Sequence, residues 1–334
     1  MENLKTQGFV LIDVDVAALN NAGKSTSTNL ENGVATKKIR KHGREYVYVS
    51  GQAWRYWWRN TLQKTFAWKL SPIFRDKKIA FTAADPIQYP DDDIFGYMKA
   101  AKGEVLDEKG EVVLDKKGKP KLENVTVTRI SPLKNSALIA VAATETKENW
   151  SSMSRQEGDA VPYTKEEYST IMKGMFALDL EQVGTFATYN KTGFKNLTAS
   201  LKQQALDQGA TTIADQFVKK ANGEAQELVR LPMELRRKRA VDAINALKYI
   251  SGGAMQTNNM ADVTPKLIIL STMTTGNHPF SHVAVNRGAY NQNFVLNIAG
   301  LEEVIKDYKD QFQGKIFLGT RSGFLDQEDQ AALE

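Results

Sequence analysis

The 334-residue chain has no cysteine, three histidines and nine prolines. Without cysteine it forms no disulfide, binds no metal through a thiolate and has no thiol nucleophile. His278 and His282 are four residues apart, but no glutamate lies between them and Pro279 interrupts the turn, so the helical zinc pattern is missing. No run of about 18 apolar residues occurs, and the first residues carry no apolar signal segment. We therefore expect a cytoplasmic protein with no membrane contact, metal or cofactor.

Catalytic patterns are also missing. Ala22-Gly23-Lys24-Ser25-Thr26 resembles the end of a phosphate-binding loop, but Ala18 stands where that motif requires its first glycine. No Ser/His/Asp set is visible, and the Asp91-Asp92-Asp93 run is typical of a solvated turn. Lys plus Arg number 44 against 39 Asp plus Glu, a net charge of +5, which is compatible with nucleic acid but does not require it. The sequence predicts a binding protein and not an enzyme.

The most distinctive segment that is present is rich in tryptophan and arginine and covers residues 48–60. With a helical period, Trp54, Trp58 and Leu62 share one stripe, which is more often core than a binding platform. A second, polar stripe consists of Gln52, Arg55, Arg59 and Gln63. Guanidinium groups hold phosphate in a bidentate fork, so this stripe is a candidate contact for a polyanion. Alone, the segment favours an ordinary helix with solvated charges.

Patterns along the chain predict an α+β fold on one antiparallel sheet, with residues 1–334 forming a single elaborated domain. Alternating apolar residues predict strands at residues 9–16, 45–50, 125–143, 175–183, 266–272, 294–298 and 315–318. Helical periodicity predicts helices from residue 51 to before Pro72 and at residues 194–220, 232–250 and 301–312, which makes 194–250 a helical region. Residues 20–31 and 144–170 are polar and predict loops, and residues 99–124 form a lysine-rich insertion.

This order of strands and helices fits a ferredoxin-like, or RRM-like, arrangement. Such sheets commonly read single-stranded RNA through stacked aromatic residues, but the aromatic RNP motifs are missing. RNA binding would therefore depend on loops, insertions and backbone contacts. The run Arg236-Arg237-Lys238-Arg239 lies on the predicted helix at 232–250 and leaves two interpretations open: the charged side of an amphipathic helix, or a contact with RNA or a partner.

Five short segments occur in order and span roughly residues 8–275. They are the first strand with Ala18-Leu19-Asn20-Asn21, then Val49-Ser50-Gly51-Gln52-Ala53-Trp54-Arg55, Arg129-Ile130-Ser131-Pro132-Leu133, Gly174-Met175-Phe176-Ala177-Leu178-Asp179-Leu180 and Gly252-Gly253-Ala254-Met255-Gln256-Thr257. Together they resemble the backbone subunit of type I CRISPR surveillance complexes (Cascade), in its DevR-like branch of the crRNA-binding RAMP superfamily.

The resemblance implies an RRM-like palm, a finger insertion at residues 99–124 and a β-hairpin thumb at residues 145–170. It implies sequence-independent binding of guide RNA (crRNA) by copies of the chain that stack into a helical filament with other Cascade subunits. The spacer is then free to pair with target DNA, and no catalytic residue is implied. The residues that it assigns to RNA are Asn20, Asn21, Lys24, Ser50, Gln52, Arg55, Arg59, Arg129, Met255, Gln256 and Thr257.

Two other functions stay open on the sequence. An RNA endonuclease on a similar RRM-like fold would process or cut RNA, and His42, Asp13 and Asp15 are the candidates for its acid/base or metal-assisted step. An interaction protein without nucleic acid would keep all of its tryptophans in the core.

Overall fold

The computed structural model describes residues 3–24, 32–76, 79–100, 102–104, 118–119, 122–124, 126–155, 157–191, 194–286 and 295–333. The structure divides into two compact units, and one elaborated domain over residues 1–334 stays a prediction. We call Asn3–Phe66, Lys134–Leu178 and Ile244–Glu334 the sheet unit, and Ala67–Leu133 with Asp179–Ala243 the insertion unit.

The structure has both strands and helices, numbered here along the chain. The strands are β1 (Lys5–Ala17), β2 (Asn21–Lys24), β3 (Gly33–Thr36), β4 (Lys38–Lys41), β5 (Arg44–Val49), β6 (Ile73–Asp76), β7 (Ile79–Thr82), β8 (Tyr97–Lys99), β9 (Lys102–Glu104), β10 (Leu122–Asn124), β11 (Val127–Arg129), β12 (Leu133–Asn135), β13 (Leu138–Ala140), β14 (Lys147–Met153), β15 (Val161–Asp179), β16 (Thr185–Ala187), β17 (Thr211–Lys219), β18 (Ala225–Arg230), β19 (Pro265–Met273), β20 (Ala284–Val285), β21 (Val295–Leu296) and β22 (Phe317–Thr320). The α-helices are α1 (Gly51–Phe66), α2 (Pro90–Phe95), α3 (Ala199–Asp207), α4 (Met233–Asn245), α5 (Gln256–Asn259), α6 (Ile298–Asp307) and α7 (Gln327–Leu333).

One large sheet organises the sheet unit, with strand order β22-β19-β1-β15-β13-β5-β4. Neighbours pair antiparallel where β1 meets β19, β13 meets β15 and β4 meets β5, and the short β3 runs parallel to β15. Along the chain, α1 comes between β1 and β13, and α4 comes between β15 and β19. A mixed fold with a mostly antiparallel sheet is therefore confirmed.

The two faces of this sheet carry different cores because side chains alternate along a strand. On one face the predicted tryptophan stripe of α1 is confirmed as core, with Trp54 and Trp58 fully buried. Trp58 packs edge-on against Phe176 of β15, with ring centroids 5.2 Å apart. On the other face, Phe9 and Leu11 of β1 join a cluster that includes apolar residues of the C-terminal segment.

The insertion unit holds smaller sheets, among them β16-β18-β17, and a separate core around Phe186 and Val229. The prediction of a helical region over residues 194–250 is wrong in its middle, because β17 and β18 pair there antiparallel. The β-branched pair Thr211-Thr212, followed by Ile213, favours extended backbone. Gly209, with φ of +87°, separates α3 from this strand.

Polar composition also misled the prediction of loops. Residues 144–170 contain an antiparallel hairpin in which β14 pairs with the first part of β15, from Lys147 opposite Glu167 to Met153 opposite Val161. Residues 21–24 form β2 instead of loop, and the strand predicted at 175–183 ends at Asp179. Polar residues can form a strand when their side chains lie on a solvent-exposed face of a sheet. Composition alone does not distinguish such a strand from a loop.

The predicted finger at 99–124 is described only at its base, where β9 pairs antiparallel with β10. Residues 105–117 of that prediction lie outside the described residues. Among the residues that the structure describes, no helix is both long enough and apolar enough to cross a membrane.

Candidate nucleic-acid interface

Helix α1 begins at a capped turn that also joins a neighbouring loop. The Ser50 hydroxyl accepts a hydrogen bond from the backbone N–H of Ala53 at 3.3 Å, and serine is a preferred residue at this capping position. The backbone N–H of Ser50 donates to Asn20 Oδ1 at 2.8 Å. Ser50 and Asn20 are therefore held together, and both use side-chain oxygens to order the backbone.

Arg55 is half-buried on the second turn of α1 and is oriented by an asparagine. Its Nη1 donates to Asn135 Oδ1 at 2.9 Å. The Asn135 amide in turn donates to the carbonyl oxygens of Gly51 at 3.1 Å and Ser136 at 2.9 Å, so it is fixed from three directions. Burial lowers the pKa of Arg55 to about 10, which leaves the guanidinium protonated at neutral pH.

The glycine-rich stretch Gly252-Gly253-Ala254, called the glycine stretch below, lies against the loop of Leu19 and Asn20. The backbone N–H of Ala254 donates to the Leu19 carbonyl at 2.9 Å, directly beside Asn20. Gly253 has φ of +111°, and a Cβ there would lie 2.6 Å from Leu19 Cδ2. A Cβ on Gly252 would lie 2.3 Å from Trp57 Cδ1 of α1. Only glycine permits this close approach of three chain segments.

The residues after these glycines differ in their surroundings. Met255 is half-buried and adopts a left-handed backbone with φ of 59°. The Gln256 amide donates to the carbonyl oxygens of Gly252 and of Ala261, so it closes the loop on itself. Thr257 is exposed. Of these three predicted RNA contacts, Gln256 has its side-chain donor engaged within the protein.

The remaining predicted contacts of the sheet unit are accessible to solvent. Gln52 is exposed and Arg59 is half-buried on the same stripe of α1 as Arg55. Asn21 and Lys24 are exposed on β2, which pairs with β3. Hydrogen bonds thus join Asn20 to Ser50 and the glycine stretch to Leu19. Helix α1, which carries Arg55, begins at this junction.

Arg129 belongs instead to the insertion unit and is 5% exposed. Its guanidinium forms an ion pair with Asp93 and donates to the carbonyl oxygens of Asp93, Thr185 and Gln182 at 2.8, 2.9 and 2.7 Å. It also lies 4.4 Å from the centroid of the Phe186 ring. These contacts engage Arg129 inside the protein, and we leave it out of the interface.

Asn135 is the residue of this interface that sequence reasoning missed. It is 80 residues from Arg55 along the chain, and no local sequence pattern links the two. The only sequence signal near it was the segment that ends in Pro132-Leu133, two residues before Asn135.

The residues considered for an endonuclease do not form one cluster in the described chain. Asp13 and Asp15 are exposed on β1 and line a cavity with Asp326 and Asp329, whereas His42 lines a different cavity. Partial burial raises the pKa of Asp13, and the nearby Lys266 opposes that rise. Within the described ranges, no group of three or more His, Asp or Glu side chains has a geometry suited to a metal ion.

Residues 10–293 match the family model described as CRISPR-associated negative auto-regulator DevR/Csa2. No curated protein matches the sequence. A solved chain titled CRISPR RNA-guided surveillance complex aligns over 99% of this chain and 93% of its own length, with a TM-score of 0.51 and 10% identity. A second, titled CRISPR RNA-guided surveillance complex, pre-nicking, aligns over 96% and 94% with a TM-score of 0.46 and 10% identity. At such identity the first likeness establishes a shared fold alone.

Proposed function

The chain belongs to the DevR/Csa2 family of CRISPR-associated proteins, and on that premise we propose that it binds guide RNA (crRNA) without regard to spacer sequence. In this proposal it is the repeated backbone subunit of a type I Cascade complex. Copies stack into a filament with other Cascade subunits and leave the spacer bases free to pair with target DNA. A subunit that accepts any spacer is best served by phosphate contacts, because these carry no sequence information.

Support for an RRM-like palm comes from the strand order. The four central strands run β19-β1-β15-β13, and each of the two crossover segments, β1 to β13 and β15 to β19, contains a helix. This is the order of a split βαβ arrangement. The surface of such a palm provides a platform for RNA that does not require a deep pocket.

The single observation that carries the proposal is the placement of Arg55. Arg55 lies near the start of α1, beside the exposed Gln52, and Asn135 holds its protonated guanidinium. A helix N-terminus carries partial positive charge and attracts phosphate, and arginine adds donors in a fixed fork. Asn20 and Ser50 order the backbone around this point. Arg59 extends the same stripe by one turn.

We propose that the hairpin of β14 and β15 is the thumb, within residues 145–170. Trp150 on this hairpin is 70% exposed, an unusual position for so large an aromatic side chain. The base of the hairpin is joined to helix α5, because Asn259 Nδ2 donates to Glu167 Oε1 at 2.9 Å and to the Val16 carbonyl at 3.1 Å. Because its base is fixed, the hairpin can contact RNA bound next to it from a defined position.

The proposal assigns no chemical step to this chain and leaves cutting of the target to another component. Asp13 and Asp15 lie exposed in an acidic setting that would repel the phosphates of a bound strand. The proposal therefore places guide RNA at the start of α1 and not over these carboxylates.

Arg55→Ala tests the proposal. We expect weaker binding of two unrelated spacer RNAs by the same factor, and a salt dependence of log K that is flatter by about one unit of slope. Arg237→Ala is the matched control, because this exposed arginine pairs with Glu234 at 3.1 Å and its loss removes the same charge. An unchanged slope for Arg55→Ala, or a loss confined to one RNA sequence, would contradict the proposal.

A further inference from the structure

A second basic site lies at the tip of the β4–β5 hairpin, where a cavity of about 230 Å³ opens beside β15. Its basic lining residues are Lys41, His42, Arg44 and Lys173, and no carboxylate is among the described residues that line it. Gly174 and Phe176 of β15 face the tryptophans of α1. Because side chains alternate along a strand, Lys173 points to the opposite face of the sheet. The cavity is thus separate from the interface at α1.

The hairpin turn brings two positive charges directly together. Lys41 and Arg44 are opposite each other in the antiparallel register, joined by the two-residue turn His42-Gly43. Both turn residues have positive φ, 49° and 77°, as a type I′ turn requires. The register therefore places two positively charged side chains next to each other at the cavity.

Lys173 supplies a third positive charge. Its Nζ donates to the carbonyl oxygens of Ser281 at 2.9 Å and Ala284 at 3.4 Å, which fix the ammonium group at the cavity wall. An ammonium group has three hydrogens, so one is left for a ligand once these two acceptors are satisfied. Burial, and then the charge of Lys41, lower the pKa of Lys173, as expected for a cation that is partly removed from water and lies near another cation.

We propose that this cavity binds a phosphate group through Lys41, Arg44 and Lys173. A phosphate group has enough charge and acceptor oxygens to meet three cationic donors together, whereas a protein carboxylate has one charge and two oxygens. The cavity is smaller than the 300–1,000 Å³ or so of typical small-molecule sites, so it fits a phosphate group better than a whole nucleotide. The group comes either from an RNA backbone or from a free phosphate. Neither source depends on the interface at α1.

Lys41→Gln tests the site in the full chain, with inorganic phosphate as the probe. Phosphate is titrated by calorimetry at an ionic strength held constant with NaCl. We expect saturable binding that Lys41→Gln weakens about tenfold, the loss of one charge-assisted hydrogen bond. Arg40→Gln is the matched control, because Arg40 is the exposed neighbour on the other face of the hairpin and carries the same charge. Absence of saturation, or equal effects of the two substitutions, overturns the proposal.

A second arm distinguishes the two sources. The same variants are titrated with single-stranded RNA that lacks a terminal phosphate. Weaker RNA binding in Lys41→Gln than in Arg40→Gln identifies the RNA backbone as the source, and unchanged RNA binding identifies a free phosphate. If the wild-type chain binds phosphate but no RNA, the proposed function fails while this site stands.

Discussion

Arginines occur in two settings in this protein, and the contrast separates structure from function. In the insertion unit, Arg129, Arg236 and Arg239 are 5%, 7% and 3% exposed. Along α1 in the sheet unit, Arg55 and Arg59 are half-buried. Buried guanidinium groups must meet all of their partners within the protein, whereas half-buried ones are partly open to solvent, where a ligand can reach them. Burial therefore indicates function better than the density of basic residues does.

The basic run at 236–239 shows how misleading density is. Arg236 Nε donates to the Val183 carbonyl at 2.7 Å, and Arg239 Nη1 binds Asp93 Oδ2 at 2.7 Å. Arg237 and Lys238 are exposed and pair with Glu234 and Asp242 on their own helix at 3.1 and 2.6 Å. The run therefore divides: only Arg237 and Lys238 lie on an exposed, charged side of the helix, whereas Arg236 and Arg239 are buried and stabilise the unit.

The largest expected effect comes from removing a buried arginine. Arg239→Ala leaves the fully buried Asp93 with one ion-pair partner fewer, and it leaves the carbonyl oxygens of Pro86 and Ile87 without their donor. Breaking a buried pair in this way costs about 3–5 kcal/mol in the free energy of unfolding, measured by urea denaturation. Arg237→Ala, two residues away and exposed, should change it by less than about 0.5 kcal/mol. Equal losses would break the contrast.

A loss of similar size is expected on the inner side of α1. Trp58 is fully buried between Phe176 and Trp54, at ring-centroid distances of 5.2 and 5.5 Å. Trp58→Ala should lower the free energy of unfolding by about 3–5 kcal/mol. Normal stability together with lost RNA binding would show instead that this tryptophan stacks on bases, and the division of α1 into core and interface would be wrong.

Local patterns predicted part of this arrangement. The alternation in β1 and β19 and the helical period of Trp54, Trp58 and Leu62 express the core directly, so these elements were correctly identified. Long-range pairing has no such signal. The helical interpretation of Thr211–Lys219 failed because pairing with β18 decided its conformation. The sequence likewise did not distinguish Arg129 from Arg55, because their partners, Asp93 and Asn135, become neighbours only on folding.

A smaller effect, on binding and not on folding, is expected at Arg59. If the stripe of α1 follows the RNA backbone, Arg59→Ala removes one phosphate contact and flattens the salt dependence by about one unit of slope. Lys64→Ala is the matched control, since this exposed lysine in the last turn of the same helix carries the same charge. Equal slopes of log K against log salt concentration for the two variants would show that RNA binding depends only on the net charge of α1.

The smallest effect separates the charge of Arg55 from its orientation. Asn135→Ala leaves the guanidinium charged but removes the acceptor at 2.9 Å that fixes it. We expect RNA affinity to fall by about 0.5–1.5 kcal/mol, the net worth of one hydrogen bond, with the salt slope unchanged. Because Asn135 also binds the carbonyl oxygens of Gly51 and Ser136, the variant is compared in a double-mutant cycle with Arg55→Ala. If Asn135 acts by orienting Arg55, its effect on RNA disappears in the Arg55→Ala background. An effect that persists there would mean that Asn135 acts on the loop alone, and the half-buried arginine would then function as a charge without a fixed geometry.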